Sequence, residues 1–415
     1  MRKVIFQIIS LAILFALSVE ASAIWQFDMF SRVPTPGSAQ AVAMYNNFAL
    51  VADWDRGLAV YNLSSIAFPS YVSSYNHGGY VNDIIVSGRY AFLAHWSRGV
   101  TILDMINPAV PESIGAFNTP GVTVDIFLQG NLLYVADLYN GLVILDVSDL
   151  AHPRQVGHVS SIGYAYSVTA RDSIIYVANQ GYGLQVYNLG DTIHPVLKGS
   201  HALTGDCSNV VINGSYLYVA CGSSGLAVFS LVDPQYPESL TTISTPGFLN
   251  EITLSDTFAF LSNENAGLLA MSINNPSNPR LVGSFDSPGL ARGTAVYGYY
   301  VLLADVDTLF VMAPRYPSDI DEETSVLPSM MRLNGCYPNP FNATTKIGFN
   351  LAERADISLN IYDICGRQVA NLAKGIYGPG KYAVDWKATD HVSGVYFIRL
   401  SSGDKVATTT ATYLK

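Results

Sequence analysis

This sequence has little charge: Asp, Glu, Lys and Arg make up 13% of its 415 residues, about half the roughly 25% of an ordinary domain. Long surface helices need Lys and Glu on their wet face, so the shortage speaks against them. Only 22 residues are Lys or Arg against 32 Asp or Glu, a net charge of −10. That balance argues against a nucleic-acid binder, whose affinity comes from cations neutralising phosphates. Cysteine is sparse too, with four in the chain and no CxxC spacing, which argues against a zinc site. Neither HExxH nor GxSxG occurs, so evidence for catalysis is thin. After the first residues, no apolar run is long enough to span a bilayer.

What is abundant is Gly (34), Tyr (26) and Phe (18), the composition of a turn-rich β protein. The first residues read MRKVIFQIISLAILFALSVEASA. A basic Arg2-Lys3 start, an apolar run and Ala21-Ser22-Ala23 predict a cleaved signal peptide over residues 1–23. The mature chain is expected to begin near Ile24. With no Cys after the cleavage site, a lipid anchor is not expected.

The stretch ADWDRG, residues 52–57, looks like a site, but AHWSRG follows at residues 94–99. Gly57, Gly99, Gly141, Gly183, Gly225 and Gly267 keep one step of 42 residues. So do Pro69, Pro111, Pro153, Pro195, Pro237 and Pro279. Two residue types sharing one period define a repeat array. Each copy is two apolar runs about a polar loop, as in YAFLAHWSRGVTILDM (90–105), flanked by two further runs. Four short strands per 42 residues predict a β-propeller blade. A worn final copy, YVLLADVDTLFVM, ends at Met312. The N-terminal run DMFSRVPTPG aligns with a fourth strand. This predicts an all-β, seven-bladed propeller closed by its N-terminal strand, leaving no open sheet edge.

LVILDVSDLAHP, with YVAD ahead of the glycine, resembles the LVIVD repeat of extracellular β-propellers. The resemblance covers roughly residues 28–313 and is strongest in blades two to five. It implies a propeller over 24–313. Residues 314–332 hold three prolines and an acidic cluster and read as a linker. Short alternating runs over 333–415 predict a small Ig-like β-sandwich. Its Tyr337-Pro338-Asn339-Pro340-Phe341-Asn342, Ile361-Tyr362-Asp363, Gly366-Arg367 and Gly394-Val395-Tyr396-Phe397 are similar to the type A C-terminal sorting domain of type IX secretion. That resemblance implies an outer-membrane secretion machinery as partner and a secreted or cell-surface destination.

Stepping by 42 from Asp53 gives His95, Asp137, Asn179, Cys221, Asn263 and Asp305, all polar. A second series holds Asp83, Asp125 and Glu251. Both are expected to ring the mouth of the central channel. Asp53, Asp83, Asp125, Asp137, Glu251 and Asp305 would supply the oxygen ligands of a Ca²⁺ site. The alternative is that these side chains cap blade backbone groups, as Asp and Asn do in turns. Trp54, Trp96, Tyr139 and Tyr182, with Arg56 and Arg98, break the repeat symmetry and form a candidate face for protein or carbohydrate. Cys207 and Cys221 flank a hairpin turn within disulfide reach, and Cys336 with Cys365 is a second possible pair. The function expected is extracellular recognition of protein or glycan. The alternatives are a metal-assisted hydrolase or lyase at the channel mouth and a surface-layer or adhesin component.

Overall fold

A computed structural model describes residues 25–76, 78–160, 163–190, 194–315, 331–337, 339, 341–351, 354–363, 366–389, 391–403 and 405–414. The signal-peptide residues and almost all of the expected linker lie outside this set. Every regular element described is a β-strand.

Sheets of four strands follow one another along the chain. The first is a meander of Ala41–Tyr45, Phe48–Ala52, Leu58–Asn62 and Ser70–Tyr75. Four more repeat it, starting at Asp83, Asp125, Tyr164 and Asn209. Within each sheet the pattern of burial explains the pattern of sequence. The two central strands, such as FALVA and LAVYN, are buried on both faces almost throughout. They therefore read as continuous apolar runs rather than alternating ones. The outer strand SYVSSY is largely wet and accordingly polar.

The two faces are covered by neighbouring sheets. Leu50, Val60 and Leu58 pack against Ile84, Leu93 and Leu103 of the next sheet. Tyr134 and Ile144 meet Val168 and Ile175 in the same way two sheets on. Each fully buried Leu, Ile or Phe contributes about 1.5–3 kcal/mol against exposure, so these seams hold most of the stability. A further cluster joins Leu302, Leu309 and Val311 near the end of the array to Val42, Val51 and Tyr61 at its start.

The array ends in a joined sheet. Tyr300–Arg315 pairs antiparallel with Ala291–Tyr297 through its first half. Its second half pairs with the N-terminal strand Trp25–Ala39, with Phe27 opposite Pro314 and Arg32 opposite Phe310. The chain start thus fills the place of an outer strand that the last repeat lacks.

Each sheet needs its periodic glycine for a steric reason. Gly57 has φ +82°, and a Cβ there would lie 2.3 Å from the Tyr75 carbonyl oxygen. Gly99, Gly183, Gly225 and Gly267 would each meet the equivalent carbonyl at 2.2 Å.

Residues beyond the array form two antiparallel sheets. One holds Arg332–Tyr337, Thr344–Leu351 and Gly380–Lys387. The other orders Gln368–Tyr377, Ala355–Tyr362, Gly394–Ser402 and Lys405–Tyr413. Phe341, Ile347, Phe349, Trp386, Ile398 and Tyr413 form their shared core.

Deleting residues 24–34 exposes the Leu309–Pro314 edge. We expect the shortened protein to elute as oligomers in size-exclusion chromatography and to melt at least about 5 °C below the full chain. A monomer of unchanged melting temperature would rule out the closing role of this strand.

Candidate functional site

The ADWDRG loop distributes its residues among different tasks. Its frame is a repeated backbone turn: the Asp53 N–H donates to Gly57 O at 2.7 Å, and the Arg56 N–H to Asp53 O at 2.8 Å. His95, Asp137, Cys221 and Asn263 start the same turn in their copies.

The Asp53 side chain points inward. It is fully buried, and its Oδ2 accepts the Gly37 N–H at 2.7 Å. Asp137 accepts Gly121 N–H at 2.8 Å, and Asp305 accepts Gly289 N–H at 2.9 Å. Asp137 Oδ1 also takes the hydroxyls of Thr119 and Thr123 at 2.7 and 3.2 Å. These carboxylates fasten the segment that enters a blade to the loop between its second and third strands. A glycine stands sixteen residues before each member of the series, from Gly37 to Gly289. A Cβ at Gly37, Gly121 or Gly205 would clash with the carbonyl of Asp53, Asp137 or Cys221 at 2.6, 2.4 or 2.3 Å. This glycine series was the available signal that the polar positions are loop fasteners.

The expectation that both polar series ring the channel mouth is therefore corrected. Asp53, Asp137 and Asp305 are sequestered inside their blades, while Asp83, Asp125 and Glu251 line the lumen. Among the described residues no group of three or more His, Cys, Asp or Glu side chains is arranged to hold a metal ion. A joint Ca²⁺ site of all six carboxylates is not formed. His95, the histidine of the ring, is 2% exposed, and its Nδ1 lies 3.0 Å from Thr101 Oγ1.

Blade five performs the same fastening covalently. Cys207 and Cys221 form a disulfide with Cα atoms 3.8 Å apart. They sit one step off the ladder, which pairs Asn209 with Ala220. Their counterparts two repeats earlier are Thr123 and Asp137, hydrogen-bonded at 3.2 Å. Cys365, of the second pair, lies outside the described residues.

The channel-facing series ties blades to one another. Asp83 Oδ2 accepts the Ile126 N–H at 3.3 Å and Asp125 Oδ2 the Val168 N–H at 2.8 Å. Ser167 Oγ and Asn209 Oδ1 take over in later blades, accepting Val210 and Ile252 N–H at 3.1 Å each. Burial pushes the Asp83 carboxyl up to about 6. Asp125 and Glu251 are raised well above their ordinary values by burial, then by the neighbouring carboxylates. Asp53 is likewise raised to about 6, chiefly by burial.

Above the carboxylates the channel widens into a cavity of about 430 Å³ whose wall includes Trp54, Trp96, Tyr166 and Arg292. Trp54 and Trp96 meet edge to face at 4.9 Å between ring centroids. Tyr80 stacks on Trp54 at 4.9 Å and stands 6.3 Å from Trp96. The aromatic group at the mouth is therefore Trp54–Tyr80–Trp96. Tyr139 and Tyr182 are 62% and 51% exposed and take no part in this stack. Arg56 is exposed, with its Nε 3.8 Å from Asp55, while Arg98 lies against Gly78 and Gly79. Sequence reading missed Tyr80 because it lies outside the ADWDRG loop, in the segment entering the next blade. It missed Arg292 because five other residue types hold that position elsewhere in the repeat.

Trp54 and Trp96 both have positive φ, 43° and 40°. Leu138, Gly222, Glu264 and Val306 hold the same left-handed conformation at this position in their own copies, so it belongs to the loop. Bulky side chains in the left-handed region cost of order 1–3 kcal/mol each.

In the C-terminal sheets, Phe341 is buried between Trp386 and Tyr413, each at 5.2 Å between centroids. Asn339 Oδ1 accepts the Thr412 N–H at 2.6 Å. These two residues of the Tyr337–Asn342 motif pin it to the last strand, while Asn342 is exposed. Pro338 and Pro340 lie outside the described residues. Asp363 and Arg367 close a turn through paired side chains at 2.8 Å.

The LVIVD repeat model matches residues 36–77, 78–119, 120–161, 204–238 and 246–287. The model of the secretion system C-terminal sorting domain matches residues 335–412. Residues 162–203, expected among the strongest copies, are not matched. That copy carries Gln185 where the others have Ala59, Thr101, Val143, Ala227 and Leu269. No curated protein matches the chain. Among solved structures, the β-propeller domain of Myceliophteria thermophila Cps50 (Swd1) is similar at 11% identity, with a TM-score of 0.58. The match covers 69% of this chain and 99% of that one. A computationally designed protein, Ika8, is similar at 9% identity and TM-score 0.49, over 85% of this chain and 97% of that one.

Two outcomes follow from the carboxylates and their covalent substitute. Asp83, Asp125 and Glu251 bind protons more tightly folded than unfolded, so they withdraw stability as pH rises from about 4 through 6 and above. We expect Asp125→Asn to flatten the fall in melting temperature between pH 5 and 8, read by differential scanning fluorimetry. A steeper fall would refute the assignment. Replacing Cys221 by Ala should cost about 2–4 kcal/mol in urea unfolding. The pair Cys207→Thr with Cys221→Asp, copying Thr123 and Asp137, should recover part of that loss. No recovery would mean the two fasteners are not equivalent.

Proposed function

The chain is an LVIVD-repeat β-propeller protein with a type IX C-terminal sorting domain, and from that premise we propose that it is an extracellular recognition protein whose ligand face is the channel mouth. The sorting domain implies engagement with the secretion machinery and export to the medium or the cell surface. We infer a cleaved signal peptide over 1–23, a propeller over 24–313, a linker over 314–332 and an Ig-like sandwich over 333–415. We also infer a ring of seven blades. Support comes from the cluster joining Leu302 and Val311 to Val51 and Tyr61, and from the N-terminal strand pairing with Tyr300–Arg315.

One observation carries the recognition reading. Trp54 and Trp96 line the cavity at the mouth with Tyr80 stacked on Trp54, where the same loop position, at the same positive φ, holds Leu138, Gly222, Glu264 or Val306 in other blades. A purely architectural loop has no need of Trp there, as Gly222 demonstrates. Two Trp rings gathered on a concave surface, at a loop position that other blades fill with unrelated side chains, point to a ligand. A metal-assisted hydrolase has less support, since Asp83 and Asp125 are engaged with backbone N–H groups of the next blade. The ligand class is an extracellular protein or glycan.

The double variant Trp54→Gly with Trp96→Gly separates function from stability. Glycine relieves the left-handed backbone while removing both rings, so the melting temperature should move by less than about 4 °C. Binding to glycan arrays or to cell-surface protein should be lost. Undiminished binding by a folded double variant would defeat the proposal.

A further inference from the structure

We propose that the channel mouth takes an organic ammonium group, a protonated or quaternary amine borne by the extracellular ligand, held by the Trp54, Tyr80 and Trp96 rings above a lumen lined by Asp83, Asp125 and Glu251. This rests on the reading of the mouth as a recognition face and names the chemistry it selects. The Trp54 and Trp96 rings and the three carboxylates border one cavity. Tyr80 belongs to it through its stack on Trp54. Aromatic faces carry negative potential at their centres and attract cations within about 6 Å, by roughly 0.5–2 kcal/mol. A neutral ligand has no use for the acidic lumen beneath.

The arrangement of the carboxylates selects the kind of cation. They come from separate blades, and Asp83 and Asp125 each commit one oxygen to a backbone N–H of the next blade. Among the described residues no three acidic, His or Cys side chains are close enough to share a metal ion. What they offer is a broad acidic lining along the lumen, which a nearby cation would help to ionise, suited to a large, weakly hydrated cation. Arg292 also borders the cavity, but its Nη1 donates to Glu264 Oε1 at 2.7 Å, which neutralises it. Tyr166 stays protonated, because burial and then Asp206 push its phenol up.

Proton linkage follows. An ammonium favours the ionised carboxylates, so its binding should release protons. Affinity should rise with pH as the Asp83 carboxyl, held up to about 6 by burial, ionises.

The test is titration of the full mature chain with choline, cadaverine and spermidine, followed by tryptophan fluorescence and calorimetry. The neutral choline isostere 3,3-dimethylbutan-1-ol and neutral maltoheptaose serve as controls. At least one amine should bind about ten-fold more tightly than the neutral alcohol. Asp125→Asn and Trp96→Gly should each weaken it about five-fold with the melting temperature retained. Equal binding of choline and its isostere would overturn the proposal. Binding of maltoheptaose with no response to any amine would overturn it too, yet leave the mouth standing as a recognition face. Silence of every probe, together with unchanged surface binding by the Trp54→Gly Trp96→Gly protein, would remove both.

Discussion

A blade of this protein has two dry faces. Its central strands are buried on both sides by aliphatic and aromatic residues, and no single sheet can satisfy them. Each sheet must be sandwiched between two others, and the only arrangement that leaves none uncovered is a closed circle. The hydrogen bonds follow this packing. First-strand side chains accept N–H groups about one repeat further along, as Asp83 does from Ile126 and Asn209 from Ile252. Buried apolar area drives association of the sheets, and these directional bonds set their register.

Inside that frame, one loop does architectural and chemical work side by side. In Asp53-Trp54 the first residue turns inward to hold Gly37 and the second turns toward the channel. Adjacent residues face opposite ways, so a stretch that looks like a single constellation is divided between two environments. The fastening also tolerates different chemistry. Asp137 uses a carboxylate and Thr hydroxyls, Asn263 donates to the Pro246 carbonyl, and Cys221 uses a covalent bond. What the position demands is a strong link to the entering segment, whatever its atoms.

The repeat period, the four strands per copy and the pairing role of the N-terminal run were legible in the sequence, because each leaves a periodic trace. Gly57 and its equivalents recur because a carbonyl oxygen lies where a Cβ would be. The candidate site was only half legible. Trp54 and Trp96 stood out because they break symmetry, but Tyr139 and Tyr182 shared their chemistry and not their place. Tyr80 joins the rings from a segment some two dozen residues away in sequence, and no period links it to Trp54. Asp53 and Asp83 looked alike as polar, periodic carboxylates. Strand sequence alone could not say that one is sealed inside a blade and the other faces the lumen.

The N-terminal strand lies against the last strand of the array, so residues from the two ends of the array meet in one sheet. Contacts of such long sequence separation form late, because loop-closure entropy must be overcome before they return any energy. Closure of the circle is thus the step that carries the largest loop-closure cost. Until Pro314 has been synthesised and has reached Phe27, the growing stack carries one uncovered apolar face at each end. The sorting domain lies beyond the strand that completes the circle. A copy truncated before that strand therefore also lacks the sorting domain.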